Sequence, residues 1–416
     1  MEPLLRFPEF HDKWDRKTLD QLLQFKNGIN ASKEQYGHGR KFINVLDILN
    51  NDYIKYELIK DSVSVSFSQE EAYRVEYGDL LFLRSSETRD DVGKCNVYLD
   101  EDTPALFGGF VIRGKKAAEY DPYFLKLLLN ASSARNQISS KSGGSTRYNV
   151  SQDILESVIV SLPTISEQVK VSRFFTLLDK KIRKQHEKIE QLELFQKGLL
   201  QKIFSQEIRF KDENGLDYPE WSIGTLGELG SFIKSYSFSR SMEGEGEYRH
   251  IHYGDIHSKF SGIIDSQTEL PSISVEAGET SYTLLTDGDV LFADASEDTS
   301  DLGKCVVLLE VNRRKIIGGL HTHCFRTNNH LDPLFLQFFT KTDEYRRFIK
   351  VNANGVSVYG LSKPALSSLE IPLPDIEEQK KISGFLYKLS KKIELLKQKK
   401  IELEAMKRGF ISQMFV

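Results

Sequence analysis

The chain carries an internal duplication, and no other feature of its 416 residues constrains the fold as strongly. Segment 78–82 (Gly-Asp-Leu-Leu-Phe) returns as segment 288–292 (Gly-Asp-Val-Leu-Phe), 210 positions later. A longer block, from Tyr148 to Phe174, returns between Tyr359 and Phe385 at a shift of 211. Two related halves give one molecule two related surfaces. Such a chain can hold a pseudo-symmetric partner at two points a fixed distance apart.

The composition is typical of a globular protein with more than one core, since 39% of the residues are apolar and 28% are charged. The first residues lack the basic and apolar stretches of a signal peptide, and no run is long enough to span a membrane. Of three cysteines, Cys95 and Cys305 take equivalent places in the two halves. We expect both thiols inside their own cores, without a disulfide, in a reducing compartment. The expected location is the cytoplasm, with no membrane partner.

The net charge of −4 and the pI of about 6.2 count against a stand-alone nucleic-acid binder, which usually has a basic domain. The charge is, however, segregated along the chain. Segment 166–204 carries nine Lys and Arg against five Asp and Glu, and segment 376–416 carries ten against five. The remainder is therefore acidic, and any basic surface within it must be local.

Each half is predicted to contain a globular part of the mixed α/β (α+β) class, built from short apolar runs that Gly and Asp bound. The two Gly-Asp pairs indicate turns that lead into strands. Asp121-Pro122 and Asp332-Pro333 indicate helix starts, with Asp as the N-cap and Pro in the first turn. We assign the two globular parts to residues 1–160 and 208–371.

A long helix is predicted at the end of each half, in segments 161–207 and 372–416. Apolar residues recur there at alternating steps of three and four, the heptad pattern of a coiled coil. Because the second globular part separates the two helices, the chain can fold back and pair them antiparallel. Polar residues on the seam would set the register, or else the helices are partner-binding faces with these positions solvated. The predicted seam comprises Phe175, Leu178, Ile182, Ile189, Leu192 and Leu199 with Gln185 and Gln196, then Leu386, Leu389, Ile393, Leu396, Leu403 and Phe410 with Lys400 and Lys407.

Several motifs occur in the same order in both halves. The first half begins with Arg-Phe-Pro-Glu-Phe at 6–10, and the second with Asn-Gly-Leu-Asp-Tyr-Pro-Glu-Trp at 214–221. Both continue through the Gly-Asp strand and a Gly-Lys-Cys segment to Pro-x-Ile-x-Glu-Gln, which leads into the long helix. Over essentially the whole chain, this ordered set resembles the specificity subunit of a type I restriction-modification system.

The resemblance implies two target recognition domains, each reading one half of a bipartite, asymmetric site in double-stranded DNA. It implies that the two long helices form an antiparallel coiled coil, which fixes the gap between the half-sites. The subunit would have no catalytic activity and would be the platform for two methyltransferase subunits and two restriction subunits, the motor-nucleases. S-adenosylmethionine, ATP and Mg²⁺ would be bound by those partners, and this chain would hold no cofactor or metal.

Two loops in each half carry groups suited to DNA, because Lys, Arg and main-chain N–H groups contact phosphates and polar side chains contact base edges. The first loop follows the Gly-Asp strand; the alternative for it is an ordinary variable surface loop. The second is a polar Gly loop, which the resemblance favours as DNA-facing over a connector without a partner. The first-loop candidates are Arg84, Ser85, Ser86 and Arg89, with Asp294 and Ser296 in the second half. The second-loop candidates are Lys141, Gly143, Gly144, Ser145, Thr146, Arg147 and Tyr148, with Asn354, Gly355, Ser357 and Tyr359.

A third, early loop contributes Lys33 and Arg40, matched by Arg240 and Arg249, and ordinary surface charge explains these residues equally well. The sequence has no phosphate-binding loop for ATP, and no catalytic constellation stands out. His321, His323 and Cys324 could offer metal ligands, but no second ligand pair is nearby in sequence, so we interpret them as strand residues, with a role in base reading as the alternative. The rival function is a duplicated protein–protein adaptor whose loops do not contact DNA.

Overall fold

A computed structural model describes residues 3–273, 282–311 and 314–415. Met1, Glu2 and Val416, at the ends of the predicted segments 1–160 and 372–416, lie outside the described residues, as do 274–281 and 312–313 of segment 208–371. The chain divides into two compact units. Unit 1 comprises residues 1–187 and 397–416, and unit 2 comprises residues 188–396.

Unit 1 contains short strands, short helices and the start of the first long helix. Its strands are β1 (Asp15–Thr18), β2 (Leu23–Asn27), β3 (Tyr36–Ile43), β4 (Ser62–Val63), β5 (Leu80–Leu83), β6 (Ser85–Ser86), β7 (Cys95–Val97), β8 (Leu106–Phe107), β9 (Val111–Lys116), β10 (Tyr148–Asn149) and β11 (Ile159–Leu162). Its helices are α1 (Val45–Asn50), α2 (Phe67–Tyr73), α3 (Pro122–Asn130), α4 (Ser132–Lys141), α5 (Gln152–Glu156) and α6 (Ile165–Phe204), the last of which continues into unit 2.

The main sheet of unit 1 has four antiparallel strands in the order β2-β9-β5-β7, and a second sheet has the order β4-β3-β8. Strand β5 follows the Gly-Asp pair and is buried along its whole length. Leu80 and Phe82 lie in the core that contains Phe124 of α3, whereas Leu81 lies in a second core with Tyr98. Because alternate residues of a strand point to opposite faces, a strand buried on both faces is apolar throughout.

Unit 2 repeats this arrangement. Its strands are β12 (Ser222–Thr225), β13 (Gly230–Ile233), β14 (Glu243–Ile251), β15 (Ile263–Ile264), β16 (Ser272–Ile273), β17 (Asp289–Ala293), β18 (Ala295–Ser296), β19 (Cys305–Leu308), β20 (Ile316–Gly318), β21 (Thr322–Thr327), β22 (Tyr359–Gly360) and β23 (Glu370–Leu373). Its helices are α7 (Tyr253–Ser258), α8 (Pro333–Phe339), α9 (Asp343–Asn352), α10 (Lys363–Ser367) and α11 (Ile376–Met414), the last of which ends in unit 1. The sheet order β13-β21-β17-β19-β15 reproduces that of unit 1, with β15 added at one edge.

The repeated Gly-Asp pair builds the turn before the central strand. Gly78 and Gly288 have φ of +90° and +85°, a region that favours glycine. The buried carboxylate of Asp79 accepts hydrogen bonds from the N–H groups of Glu76 and Lys116, both at 3.0 Å. Asp289 accepts from the N–H of Thr286 at 2.7 Å in the same way. The motif therefore recurs because the sheet needs this turn, not because it faces a partner.

The predicted helix starts at Asp121 and Asp332 are confirmed. Each aspartate side chain accepts a hydrogen bond from the N–H group three residues later, at 2.8 and 2.7 Å, and each proline lies in the first turn. The glutamine of Pro-x-Ile-x-Glu-Gln contacts the main chain at the same helix start. Gln168 accepts from the N–H of Asp121 at 3.0 Å and donates to the carbonyl of Pro163 at 2.9 Å. The motif thus ties the start of the long helix to the globular part.

Within unit 1, α6 and α11 pack antiparallel. Phe174, near the start of α6, lies 5.1 Å (between ring centroids) from Phe410, near the end of α11. Further along α6, Asp179 pairs with Lys407, which is earlier in α11. The predicted seam positions of this unit lie inward: Phe175, Leu178 and Leu403 are buried, and Ile182 and Phe410 are half-buried.

The helix segments in unit 2 also run antiparallel. Gln196 donates a hydrogen bond to the hydroxyl of Ser390 at 2.7 Å, so this polar seam residue has a partner across the helix pair. Ile203 lies in the same core as Leu386 and Ile382, nearer the start of α11. Of the predicted seam positions here, Ile189, Leu386 and Ile393 are buried, and Leu192, Leu199, Leu389 and Leu396 are half-buried.

The cysteines behave as predicted. Cys95 and Cys305 are free and buried, each in the core of its own unit. Burial raises the pKa of the Cys95 thiol to about 12 and that of Cys305 to about 11, which keeps both protonated and inert. Across the three described ranges, no helix combines the length and the apolar character that crossing a membrane requires.

Candidate nucleic-acid interface

The structure brings the first two predicted loops of unit 1 together. Strands β6 and β10 form an antiparallel pair, in which Ser86 lies opposite Tyr148 and Ser85 lies opposite Asn149. The N–H of Val150 also donates to the carbonyl of Arg84 at 3.0 Å. The loop after the Gly-Asp strand and the polar Gly loop therefore form one surface, although about 60 residues separate them in the sequence.

The polar Gly loop closes on itself through main-chain contacts. Gly143 and Asn149 exchange two hydrogen bonds, at 3.2 and 2.8 Å. Gly144 has φ of +124°, and a Cβ at this position would lie 1.8 Å from the carbonyl oxygen of Arg147. Only glycine fits there. The turn holds Ser145, Thr146 and Arg147 outward, and all three are exposed.

Of the basic candidates of unit 1, Arg84 lines a cleft of about 730 Å³ together with Gly143, Gly144 and Asn149. The Arg84 guanidinium donates to the carbonyl of Gly109 at 3.2 Å, so its position is fixed. Arg89 lies 5.0 Å from the centroid of the Tyr148 ring. Lys141 donates to the Ser157 hydroxyl at 2.8 Å. The cleft thus combines one fixed cation, Arg84, with the open main chain of the Gly loop, and the other basic candidates lie outside its lining.

Unit 2 builds the same frame from different side chains. Ser296 lies opposite Tyr359 in the pair β18–β22, and the N–H of Leu361 donates to the carbonyl of Asp294 at 2.8 Å. Asn354 and Gly360 exchange two hydrogen bonds at 3.0 and 2.7 Å. Gly355 has φ of +125°, the counterpart of Gly144. The main-chain geometry of the two loop pairs is shared, and the side chains differ.

The Ser296 side chain, a predicted DNA contact, is only 5% exposed. Its hydroxyl accepts a hydrogen bond from the N–H of Asp298 at 3.3 Å, and Ser86 accepts from the N–H of Thr88 in the same way at 3.2 Å. These serines close the turn after their strands. The Ser296 hydroxyl is thus engaged within the protein, and its assignment to DNA binding stays a prediction.

Asp294 is held by two histidines. Its carboxylate lies 3.1 Å from Nδ1 of His321 and 3.4 Å from Nδ1 of His323, whose Nε2 lies 2.7 Å from the carbonyl oxygen of Leu361. Burial lowers the pKa of His323. His323 and Cys324 lie on β21 as interpreted, while His321 precedes the strand. Among the residues that the structure describes, no group of three or more His, Cys, Asp or Glu could hold a metal ion.

Sequence reasoning left base reading open for His321 but missed Phe110, its counterpart beside the first loop of unit 1. The N–H of Arg84 donates to the carbonyl of Phe110 at 2.9 Å, and that of Asp294 donates to the carbonyl of His321 at 3.1 Å. Phe110 and His321 are thus equivalent, and both side chains are exposed. The available signal was the Gly-Gly pair just before each of them. The repeat shift changes from 210 to 211 residues near this point, so a comparison at a constant shift of 210 does not align Phe110 with His321.

The third group of predicted residues is largely engaged within the protein. Arg40 pairs with Glu70 at 3.3 Å, and Arg240 pairs with Asp255 at 3.1 Å. Arg249 is half-buried and donates to the carbonyl of Gly246 at 3.4 Å. Lys33 is exposed on a short 3₁₀ turn. These basic residues therefore offer fewer free donors than the polar Gly loop of unit 1.

Comparisons with known proteins assign the chain to a family. The family model described as "Type I restriction modification DNA specificity domain" matches it twice, over residues 11–194 and 218–405. A protein of Methanocaldococcus jannaschii named "Putative type I restriction enzyme MjaX specificity subunit" is 21% identical, over 97% of this chain and 93% of its own length. A second protein of that organism, the "Type I restriction enzyme MjaVIII specificity subunit", is 21% identical over 66% of this chain and 65% of its own.

Solved structures share the fold. The S subunit of a type I restriction-modification system from M. genitalium has a TM-score of 0.58 at 15% identity, with 100% of this chain and 99% of that chain covered. A chain from a structural study of complex assembly and conformational transition in the type I R-M system has a TM-score of 0.57 at 16% identity, with 98% of each chain covered. With its two matched segments and its duplicated fold, the chain belongs to the type I restriction modification DNA specificity family.

Proposed function

We propose that this chain is the DNA-reading subunit of a type I restriction-modification complex and that each unit reads one half of a bipartite, asymmetric site. One observation carries the proposal: the two units hold the same pair of loops in the same main-chain frame and place different side chains on it. A duplicated frame with changed side chains suits two DNA half-sites of different sequence. An adaptor for two copies of one protein would be expected to keep the side chains alike.

In unit 1 the reading surface is cationic. Arg147 is exposed at the tip of the Gly loop, and Arg84 and Arg89 flank it. An arginine can bind the O6 and N7 atoms of guanine with two hydrogen bonds, and the open glycine main chain can approach a phosphate. Unit 1 would therefore read a half-site that contains guanine.

The chain would act without catalytic groups of its own, as the platform for two methyltransferase and two restriction subunits. Both long helices expose large apolar side chains outside the seam, among them Leu177 and Ile401 in unit 1 and Leu194 and Leu395 in unit 2. Such side chains suit docking by partner proteins. S-adenosylmethionine, ATP and Mg²⁺ would be bound by those partners, in the cytoplasm. We assign the gap between the half-sites to the long helices.

The acidic net charge fits a subunit whose partners supply much of the phosphate contact. The isolated chain should then bind DNA orders of magnitude more weakly than the complex with methyltransferase subunits. Tight, specific binding by the isolated chain would contradict this division of labour.

The test is to reconstitute the chain with its methyltransferase subunits, sequence the resulting methylome and footprint the complex on a methylated site. We expect one bipartite motif and protection of two short base clusters with an unprotected gap. Exchange of residues 1–160 for those of a relative should alter one half-site only. Methylation or protection without sequence dependence would favour the adaptor and overturn the proposal.

A further inference from the structure

The Gly loop of unit 2 presents valines where that of unit 1 presents polar residues. Val356 is 93% exposed and Val358 is 59% exposed. Counted from the equivalent glycines, Gly355 and Gly144, these valines correspond to Ser145 and Arg147. Neither valine belongs to a core of its own unit, so the apolar side chains are not explained by folding.

The frame of the loop keeps both valines outward. The two hydrogen bonds between Asn354 and Gly360 close the loop, and a Cβ on Gly355 would lie 2.0 Å from the carbonyl oxygen of Val358. The turn is thus tight and cannot fold the valines beneath it. Exposed apolar groups on a fixed loop cost free energy that a partner can recover when it covers them.

The acidic group beside this loop is already engaged. Asp294, the counterpart of Arg84, is held between His321 and His323. Its main chain joins the loop through the hydrogen bond to Leu361. The tip of the surface is therefore apolar, and at its base the carboxylate of Asp294, which lies within 3.4 Å of both histidine rings, takes the place of the Arg84 cation of unit 1.

We propose that the Gly loop of unit 2 recognises thymine by its 5-methyl group, with Val356 and Val358 in contact with that methyl in the major groove. The inference rests on the proposed function and adds the class of base. The thymine methyl is the apolar group that base edges offer in the major groove. Unit 2 thus reads a half-site that contains A·T pairs, in contrast to the guanine expected for unit 1.

The experiment uses the reconstituted complex and synthetic duplexes that carry its methylation motif. The half-site of unit 2 is the one that changes when residues 208–371 are exchanged for those of a relative. In that half-site each thymine is replaced in turn by uracil, which lacks only the methyl group. We expect the methylation rate at subsaturating complex to fall about fourfold for each contacted methyl. Uracil in the other half-site should leave the rate within twofold of the parent duplex.

The protein side of the test is the double variant Val356→Ala with Val358→Ala. It should methylate thymine and uracil duplexes equally, at the rate of the parent complex on the uracil duplex. Val351→Ala is the matched control, because Val351 is 82% exposed but lies on α9 outside the loop. This control should retain the preference for thymine.

The outcomes separate the two proposals. A complex that methylates without any sequence motif overturns the proposed function itself. A bipartite motif whose second half lacks thymine, or tolerates uracil at every position, leaves that function standing and overturns the thymine assignment. Equal loss by the double variant on both duplexes also overturns it, since the valines would then serve the loop or a protein partner.

Discussion

Arg6 donates two hydrogen bonds of 2.7 Å to Glu167, one to each carboxylate oxygen, although 161 positions separate the two residues in the sequence. Glu167 is 1% exposed at the start of α6, and Arg6 is the cation that compensates the burial of its carboxylate. Unit 2 repeats the contact: Arg209 donates to Glu378 at 3.3 and 2.8 Å. The Glu of Pro-x-Ile-x-Glu-Gln therefore anchors the first segment of each repeat to its long helix.

Glu167→Gln should destabilise unit 1 by about 3 kcal/mol, because the change removes the buried negative charge of the Arg6–Glu167 ion pair. Amide hydrogen exchange in peptides of unit 1 measures the effect. Glu9→Gln is the matched control, since Glu9 pairs with Lys170 at the surface and such pairs contribute about 1 kcal/mol or less. An equal loss of stability from both changes would show that the Arg6–Glu167 pair contributes no more than the surface pair of Glu9 with Lys170.

Lys407→Leu should destabilise the helix pair of unit 1, since it leaves the buried carboxylate of Asp179 without its cation. We expect a loss of about 3 kcal/mol, as when one partner of a buried ion pair is removed. Adding Asp179→Leu should restore part of it, because the unpaired buried carboxylate is removed while the Tyr123 hydroxyl loses its acceptor. A double-mutant cycle by urea unfolding gives the coupling energy, and strictly additive losses would refute the ion pair.

Gly144→Ala should distort the Gly loop of unit 1, since its φ is left-handed and its Cβ would collide with the Arg147 carbonyl. A strain of about 1–3 kcal/mol corresponds to roughly a fivefold to hundredfold loss of methylation by the reconstituted complex. Gly198→Ala is the control, because a Cβ there also meets nothing within 4 Å and Gly198 lies on α6, outside the loop. We expect the control to keep its activity. Similar losses for both variants would mean that the backbone of the loop is not the cause.

The stability of unit 2 should fall as the pH drops below about 6.5, the ordinary pKa of histidine. Burial lowers the pKa of His252, His257 and His323 in the folded unit. The unfolded chain therefore takes up protons first, and stability is lost between pH 6.5 and the lowered folded values. The slope is at most about 1.4 kcal/mol per histidine and pH unit.

Amide hydrogen exchange at pH 8 and pH 6, corrected for the intrinsic exchange rate, measures this loss of stability in each unit separately. His323→Gln should make unit 2 less sensitive to pH. The histidines of unit 1, His11, His38 and His186, are exposed, so its slowest amides should keep their protection over the same interval. A parallel fall in both units would point to a cause other than the buried histidines.

The sequence predicts those features that depend on local pattern. The repeat, the Asp-Pro helix starts and the heptad spacing are visible because each follows a short and regular rule. The pairing of β6 with β10 is not visible, because strands of two residues are too short for an alternating pattern. The burial of Ser296 and the equivalence of Phe110 with His321 also depend on contacts between distant segments. The Arg6–Glu167 pair cannot be predicted from the sequence for the same reason, since charge alone does not identify a partner 161 residues away.

The strand pairs that join the two loops in each unit are held by main-chain atoms. Main-chain hydrogen bonds do not depend on which side chains the paired strands carry. Residues at the loop tips can therefore be exchanged, as Ser145 and Arg147 are for Val356 and Val358, at little cost to folding. Under the proposed function, the surface is therefore mutationally tolerant where it would meet DNA. A population of such chains could acquire new targets by single substitutions while the protein stays folded at every step.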